Sequence, residues 1–85
     1  MAKYQLKIKK SAEKELAILP LEMILSIKDR IIELGNNPFP SGYKKLKGFK
    51  NLYRIRIGTY RIIYSILNSE LIIEILRISH RKDAY

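Results

Sequence analysis

Three arginines, Arg54, Arg56 and Arg61, are spaced so that a β-hairpin would gather them on one face of a sheet. Side chains on a strand alternate between faces, so across residues 51–64 Tyr53, Ile55 and Ile57 point one way and Leu52, Arg54 and Arg56 the other. Gly58-Thr59 breaks the pattern with a Gly-X pair suited to a two-residue type II′ turn. With Ile57 then facing Tyr60, Ile55 falls opposite Ile62, Tyr53 opposite Tyr64, and Arg56 directly opposite Arg61. Two like charges opposed in this way cost roughly 0.2–1 kcal/mol. A phosphate between them would turn that cost into a gain, because planar guanidinium forks match phosphate oxygens.

Such strands need partners to hold them in place. Near the start of the chain Tyr4, Leu6 and Ile8 alternate with Lys3, Gln5, Lys7 and Lys9, the period of a half-buried strand. Ser11 is the expected N-cap of a first helix, with Glu13 and Glu15 in its first turn, where carboxylates suit the helix dipole. Ala12, Leu16 and Leu19 form its apolar stripe. Pro20 ends that helix or opens the next. The second helix runs to about Leu34 and buries Ile24, Ile27, Ile31 and Leu34, with Leu25 and Ile32 widening the stripe. Gly35-Asn36-Asn37-Pro38 offers a left-handed cap with a proline behind it.

Residues 39–50 hold one proline and two glycines among four lysines; they read as a mobile basic loop with a short strand around 45–49. Beyond the hairpin, Asn68-Ser69 makes a turn into a strand over residues 71–78, whose apolar residues on both faces suit a central position. Pairing Leu67 with Glu70 would set Ile62 opposite Ile75, Ile63 opposite Glu74 and Arg61 opposite Leu76, so that the arginine face gains one carboxylate. Tyr53, Tyr60 and Tyr64 belong to the opposite, core-facing side. The sum is an α+β domain of order β-α-α-β-β-β, with two antiparallel helices packed on one face of a mainly antiparallel sheet and the other face open.

At 85 residues the chain has room for a single domain, residues 1–85. Without cysteine it uses neither disulfides nor thiol chemistry. No metal-ligand cluster is seen, so no metal and no other cofactor is expected. There is no signal-peptide pattern and no apolar run able to span a bilayer, which makes the cytoplasm the expected compartment and excludes a membrane partner. The formal net charge is +9, and it is unevenly spread: no acidic residue occurs from Leu34 to Ser69, where Lys44, Lys45, Lys47, Lys50 and the three arginines all fall. Bases clustered on one segment have the electrostatic footprint of a nucleic-acid binder, although an acidic protein partner selects such a patch as well.

The last strand runs into Ser79-His80-Arg81-Lys82-Asp83-Ala84-Tyr85, whose position suggests a rim on the arginine face. Taken in order, Leu46-Lys-Gly48, Leu52-Tyr-Arg-Ile-Arg-Ile-Gly58, Tyr60-Arg-Ile-Ile-Tyr64 and the ending His80-Arg-Lys-Asp-Ala-Tyr85 resemble the RelE branch of the RelE/ParE toxin superfamily over nearly the whole chain. The resemblance implies the fold read above. It also implies cleavage of messenger RNA in the ribosomal A site, and silencing by a cognate RelB-like antitoxin. Arg54 and Arg56 fall where the best-known member has lysines, Arg61 on the family's phosphate-contacting arginine, Arg81 on a second charge-stabilising arginine, and Tyr85 on the aromatic that stacks on the substrate base. An arginine at position 56 counts against a general base there, since arginine is not deprotonated in proteins.

The chemistry so implied needs no metal: the RNA's own 2′-hydroxyl attacks the adjacent phosphate. Arg56, Arg61 and Arg81 stabilise charge, Arg54 grips a neighbouring phosphate, and Tyr85 stacks the base and holds it in line. His80, Tyr85 and Glu74 are alternatives for proton transfer. Lys45, Lys47 and Lys50, with lysines of the first strand, would clamp ribosomal RNA. The alternative is a ParE-like chain that shares the fold and poisons DNA gyrase by binding, with no nuclease chemistry. The Arg81 and Tyr85 ending favours the nuclease.

Overall fold

The computed structural model describes residues 3–67 and 69–80. The alternating start of the chain forms β1 (Gln5–Ile8), which hands over directly to α1 (Lys10–Ala17) and α2 (Leu21–Asn36). Then come β2 (Lys44–Lys45), β3 (Leu52–Ile57), β4 (Tyr60–Leu67) and β5 (Ile72–His80). One five-stranded sheet has the order β1-β5-β4-β3-β2; β1 runs parallel to β5 and every other pairing is antiparallel. Ala12 and Leu16 of α1 and Ile27, Ile31 and Leu34 of α2 share one core with Ile55, Ile62, Tyr64, Ile66, Ile73, Ile75 and Ile78, so both helices cover the same sheet face.

The β3–β4 hairpin has the expected register, with Ile57 opposite Tyr60, Arg56 opposite Arg61, Ile55 opposite Ile62 and Tyr53 opposite Tyr64. Gly58 takes φ +57° while Thr59 stays at negative φ, as a type II′ turn requires. Local rules suffice here because a two-residue turn leaves the strands a single way to pair.

The β4–β5 pairing differs from expectation in two steps. The connection is four residues long, with Leu71 at φ +54°, and pairing resumes at Leu67 opposite Ile72 rather than Glu70. That slip of two keeps the faces unchanged: Ile73 and Ile75 remain in the core, opposite Ile66 and Tyr64. A bulge then intervenes, because Tyr64 pairs with Ile75 but Ile63 pairs with Arg77, leaving Leu76 as the extra residue. Beyond it the parity is reversed. Ile78 turns into the core opposite Ile62, Ser79 faces Arg61 and His80 faces Tyr60. The sequence carries this signal in the three-residue step from Ile75 to Ile78, which period-two alternation cannot accommodate.

The helices bring their own corrections. Lys9, in extended conformation, occupies the N-cap of α1 with no side-chain cap, so Ser11 lies inside the helix. Lys9 N–H donates to Ile75 O at 2.9 Å, the last tie between β1 and β5, and the helix begins at once after it. Glu13 alone sits in the first turn; Glu15 reaches β5 instead. Pro20 is the N-cap of α2, so it opens the second helix. Gly35 remains helical rather than adopting a left-handed cap, and its carbonyl accepts the Tyr4 N–H at 2.9 Å. Leu25 and Ile32 do not widen the buried stripe: they are 56% and 58% exposed, on the outer side of α2.

Residues 38–43 are held by aromatic packing rather than left loose. Phe39, Tyr43 and Tyr53 have ring centroids 5.1–6.2 Å apart, and Tyr53 stacks on Tyr64 at 5.9 Å. Buried Tyr64 donates its hydroxyl to Pro38 O at 2.7 Å. Burial, followed by the neighbouring Tyr53 and Tyr43 phenols, pushes the Tyr64 hydroxyl well above the ordinary phenol value of 10.0.

Candidate functional site

The face away from the helices is built by alternation. Leu52, Arg54 and Arg56 of β3 stand beside Ile63 and Arg61 of β4, and Ser79 of β5 completes the row at Arg61. Across it Arg56 is exposed, Arg61 half-buried and Arg54 only 7% exposed. The Nε atoms of Arg54 and Arg61 are both enclosed. The expected trio is therefore graded: Arg54 serves as a buried base to the row, Arg61 as its middle, and Arg56 as the member that presents its guanidinium to solvent.

β2 extends the same face by one residue. Lys44 lies opposite Arg54 and Lys45 opposite Tyr53, and opposed residues in a ladder share a face. Lys44 thus joins the arginines, whereas Lys45 belongs to the tyrosine side. Lys45, Lys47 and Lys50 are all exposed and border one shallow concavity of the connecting segment. The sequence counted Lys44 in the basic segment without setting it on the arginine face, because only the pairing of 44–45 with β3 decides which lysine shares that face.

The register slip relocates Glu74 and the bulge relocates His80, the two proton-transfer candidates that fall within the described residues. His80 stands opposite Tyr60, edge-on at 5.3 Å, on the helix side of the sheet and not on the arginine face. Glu74 lies opposite Ser65 on one side and Lys7 on the other. Ser65 is four positions along β4 from Arg61, so Glu74 is displaced from the arginine pair by about 13 Å along the sheet. Arg61, expected opposite Leu76, faces Ser79 instead. Arg81 and Tyr85 lie outside the described residues.

Next to the arginine row is an open concavity of about 580 Å³, lined by Leu52, Ile63 and Leu76 of the sheet and by Leu46 and Phe49 of the loop. Lys47 and Arg77 also border it. Arg77 went unnoticed in the sequence: it owes its place to the bulge, which sets it opposite Ile63 and within 3.6 Å of Glu15. The surface as a whole can receive a chain that carries both phosphate charge and apolar groups. Among the described residues no group of three or more His, Asp or Glu is placed to hold a metal ion, and no helix is long and apolar enough to cross a membrane.

Comparison with known proteins matches the chain to toxins. Residues 6–85 match the family model of the ParE toxin of type II toxin-antitoxin systems, parDE. The RelE1 protein of Methanocaldococcus jannaschii is 38% identical over 86 residues, covering 98% of this chain and 96% of that protein. The RelE chain in the crystal structure of the archaeal RelE–RelB complex from Pyrococcus horikoshii superposes with a TM-score of 0.85 at 33% identity, over 96% of this chain and 99% of that one. In the RelBE2 toxin-antitoxin complex of Mycobacterium tuberculosis the matching chain gives 0.81 at 26% identity, over 92% and 98%. The chain is therefore a RelE-like member of the RelE/ParE family, the toxin of a type II toxin-antitoxin system.

Proposed function

We propose that the protein is a ribosome-dependent endoribonuclease that cleaves messenger RNA in the ribosomal A site. The observation that carries this reading is the directly opposed Arg56–Arg61 pair, on a sheet face that carries no helix among the described residues. In the proposed reaction the 2′-oxygen of the RNA attacks the adjacent phosphorus and the bond to the 5′-oxygen breaks. The products are a 2′,3′-cyclic phosphate and a 5′-hydroxyl. A base takes the 2′-hydroxyl proton and an acid supplies one to the departing oxygen. Arg56 and Arg61 neutralise the charge that builds on the phosphorane oxygens, and by resemblance Arg81 joins them while Tyr85 stacks the base. Arg54, being buried, acts by holding its neighbours' potential positive more than by gripping RNA. With His80 on the other face and Glu74 far along the sheet, the proton-transfer set falls to Tyr85 and to groups on the ribosome, which agrees with a toxin that needs translating ribosomes to act.

Exposed Lys44 stands on the same face and exposed Lys47 borders its concavity; together with exposed Lys50 of the connecting segment they serve as the ribosomal-RNA clamp. The partner that silences the toxin is a RelB-like antitoxin, as in the complexes of its relatives; seated in the apolar concavity, it would screen the arginine row from RNA. The site of action is the cytoplasm. Mapping of cut positions on translated messages tests the reading: in-frame breaks are expected from the wild type and none from Arg61→Ala or Arg81→Ala, each of which loses about 10²–10³ in rate with its fold intact. Wild-type cleavage by both variants refutes the site. Since the matching family model is that of ParE, the second reading is gyrase poisoning, for which gyrase-linked DNA breaks without message cleavage are the signature.

A further inference from the structure

β5 outruns its neighbour. β1 pairs with it only from Ile72 to Ile75, so among the described residues the half of β5 beyond the bulge has no strand on that side. A buried backbone N–H left there would be costly. Glu15 of α1 fills the gap: its Oε1 accepts the Ile78 N–H at 2.8 Å, and its Oε2 lies 3.6 Å from Arg77. The ion pair is partly exposed and contributes little by itself. The carboxylate-to-amide bond is the stronger tie, since Ile78 is only 3% exposed and a charged acceptor strengthens it. It acts at the point where the parity of the strand has just been reversed, and so holds the arrangement that aims Ser79 at Arg61 and Ile78 into the core.

We infer that Glu15 is a positioning residue of the nuclease: by fastening the Ile78 amide it fixes the phase of the bulged end of β5, and with it the place of Ser79 beside Arg61 of the Arg56–Arg61 pair. This rests on the proposed ribonuclease reading. Glu15→Gln keeps an oxygen acceptor for the amide, whereas Glu15→Met keeps length and helix propensity but removes the acceptor. Measured as full-length toxin on translating ribosomes, per folded molecule, Glu15→Met should lose about 10- to 100-fold in kcat with KM little changed. Glu15→Gln should recover most of the rate, and hydrogen exchange at the Ile78 amide should accelerate in the Met variant alone. A role confined to stability would lower the melting temperature and leave kcat per folded molecule unchanged; that result, or equal rates in both variants, overturns the inference. A wild type that cuts no message removes the ribonuclease reading itself, an outcome distinct from an active wild type matched by an active Glu15→Met.

Discussion

The opposed Arg56–Arg61 pair makes a prediction that concerns the free protein before any RNA is added. Directly opposed strand residues stand about 4.5–5.5 Å apart at Cα, and like charges so placed cost roughly 0.2–1 kcal/mol. Arg56 is exposed, so water screens the pair and the lower half of that range applies at ordinary salt. Replacing Arg56 by Gln should therefore stabilise the toxin, raising the melting temperature by roughly 1–5 °C for a domain of this size. The gain should be largest at low ionic strength and shrink as salt is added. Thermal melts of wild type, Arg56→Gln, Arg61→Gln and the double variant close a cycle in which the coupling is repulsive. Inorganic phosphate should narrow the gap by stabilising the wild type more than Arg56→Gln. A fall in melting temperature for Arg56→Gln at low salt, or an attractive coupling, would show that the two guanidinium groups support each other unaided and would remove the reason for expecting an anion between them.

Tyr64→Phe leaves the Pro38 carbonyl without its donor and should cost about 1–3 kcal/mol in chemical denaturation. Because the phenol's folded value is raised above 10.0, its contribution is fully present below that pH and is lost as pH rises through the folded value; the wild type should thus lose stability above pH 10.0 more steeply than Tyr64→Phe. Gly58→Ala forces a side chain onto φ +57° and should cost about 1–3 kcal/mol, even though the added carbon would meet Met23 only at an ordinary 3.7 Å. Ribosome binding measured against salt should weaken steeply, and Lys44→Ala, Lys47→Ala and Lys50→Ala should each flatten the logarithmic slope by about 0.7–0.9. An unchanged slope in the triple variant would remove the clamp.

What the residues determine by themselves here is whatever depends on neighbours close in the chain. Alternation in β1, the Gly-X turn and the opposed arginines of the hairpin, the two helices and their inner stripes all follow from periods and short loops, and they stand where those rules put them. The identity of the arginine face was legible for the same reason. Three features were not. Leu25 and Ile32 match a buried stripe by type, yet the sheet is covered without them, so only packing tells which side of α2 is used. Ser11 is a good capping residue left unused because the ladder bond at Lys9 starts the helix two residues early. Most consequential is β5: its slip, its bulge and its place between β4 and a parallel β1 depend on partners distant in the chain, where several registers bury similar apolar sets. The tertiary structure chose the one in which Ile73, Ile75 and Ile78 all reach the core, and that requirement, not local preference, moved His80 off the arginine face and put Ser79 on it.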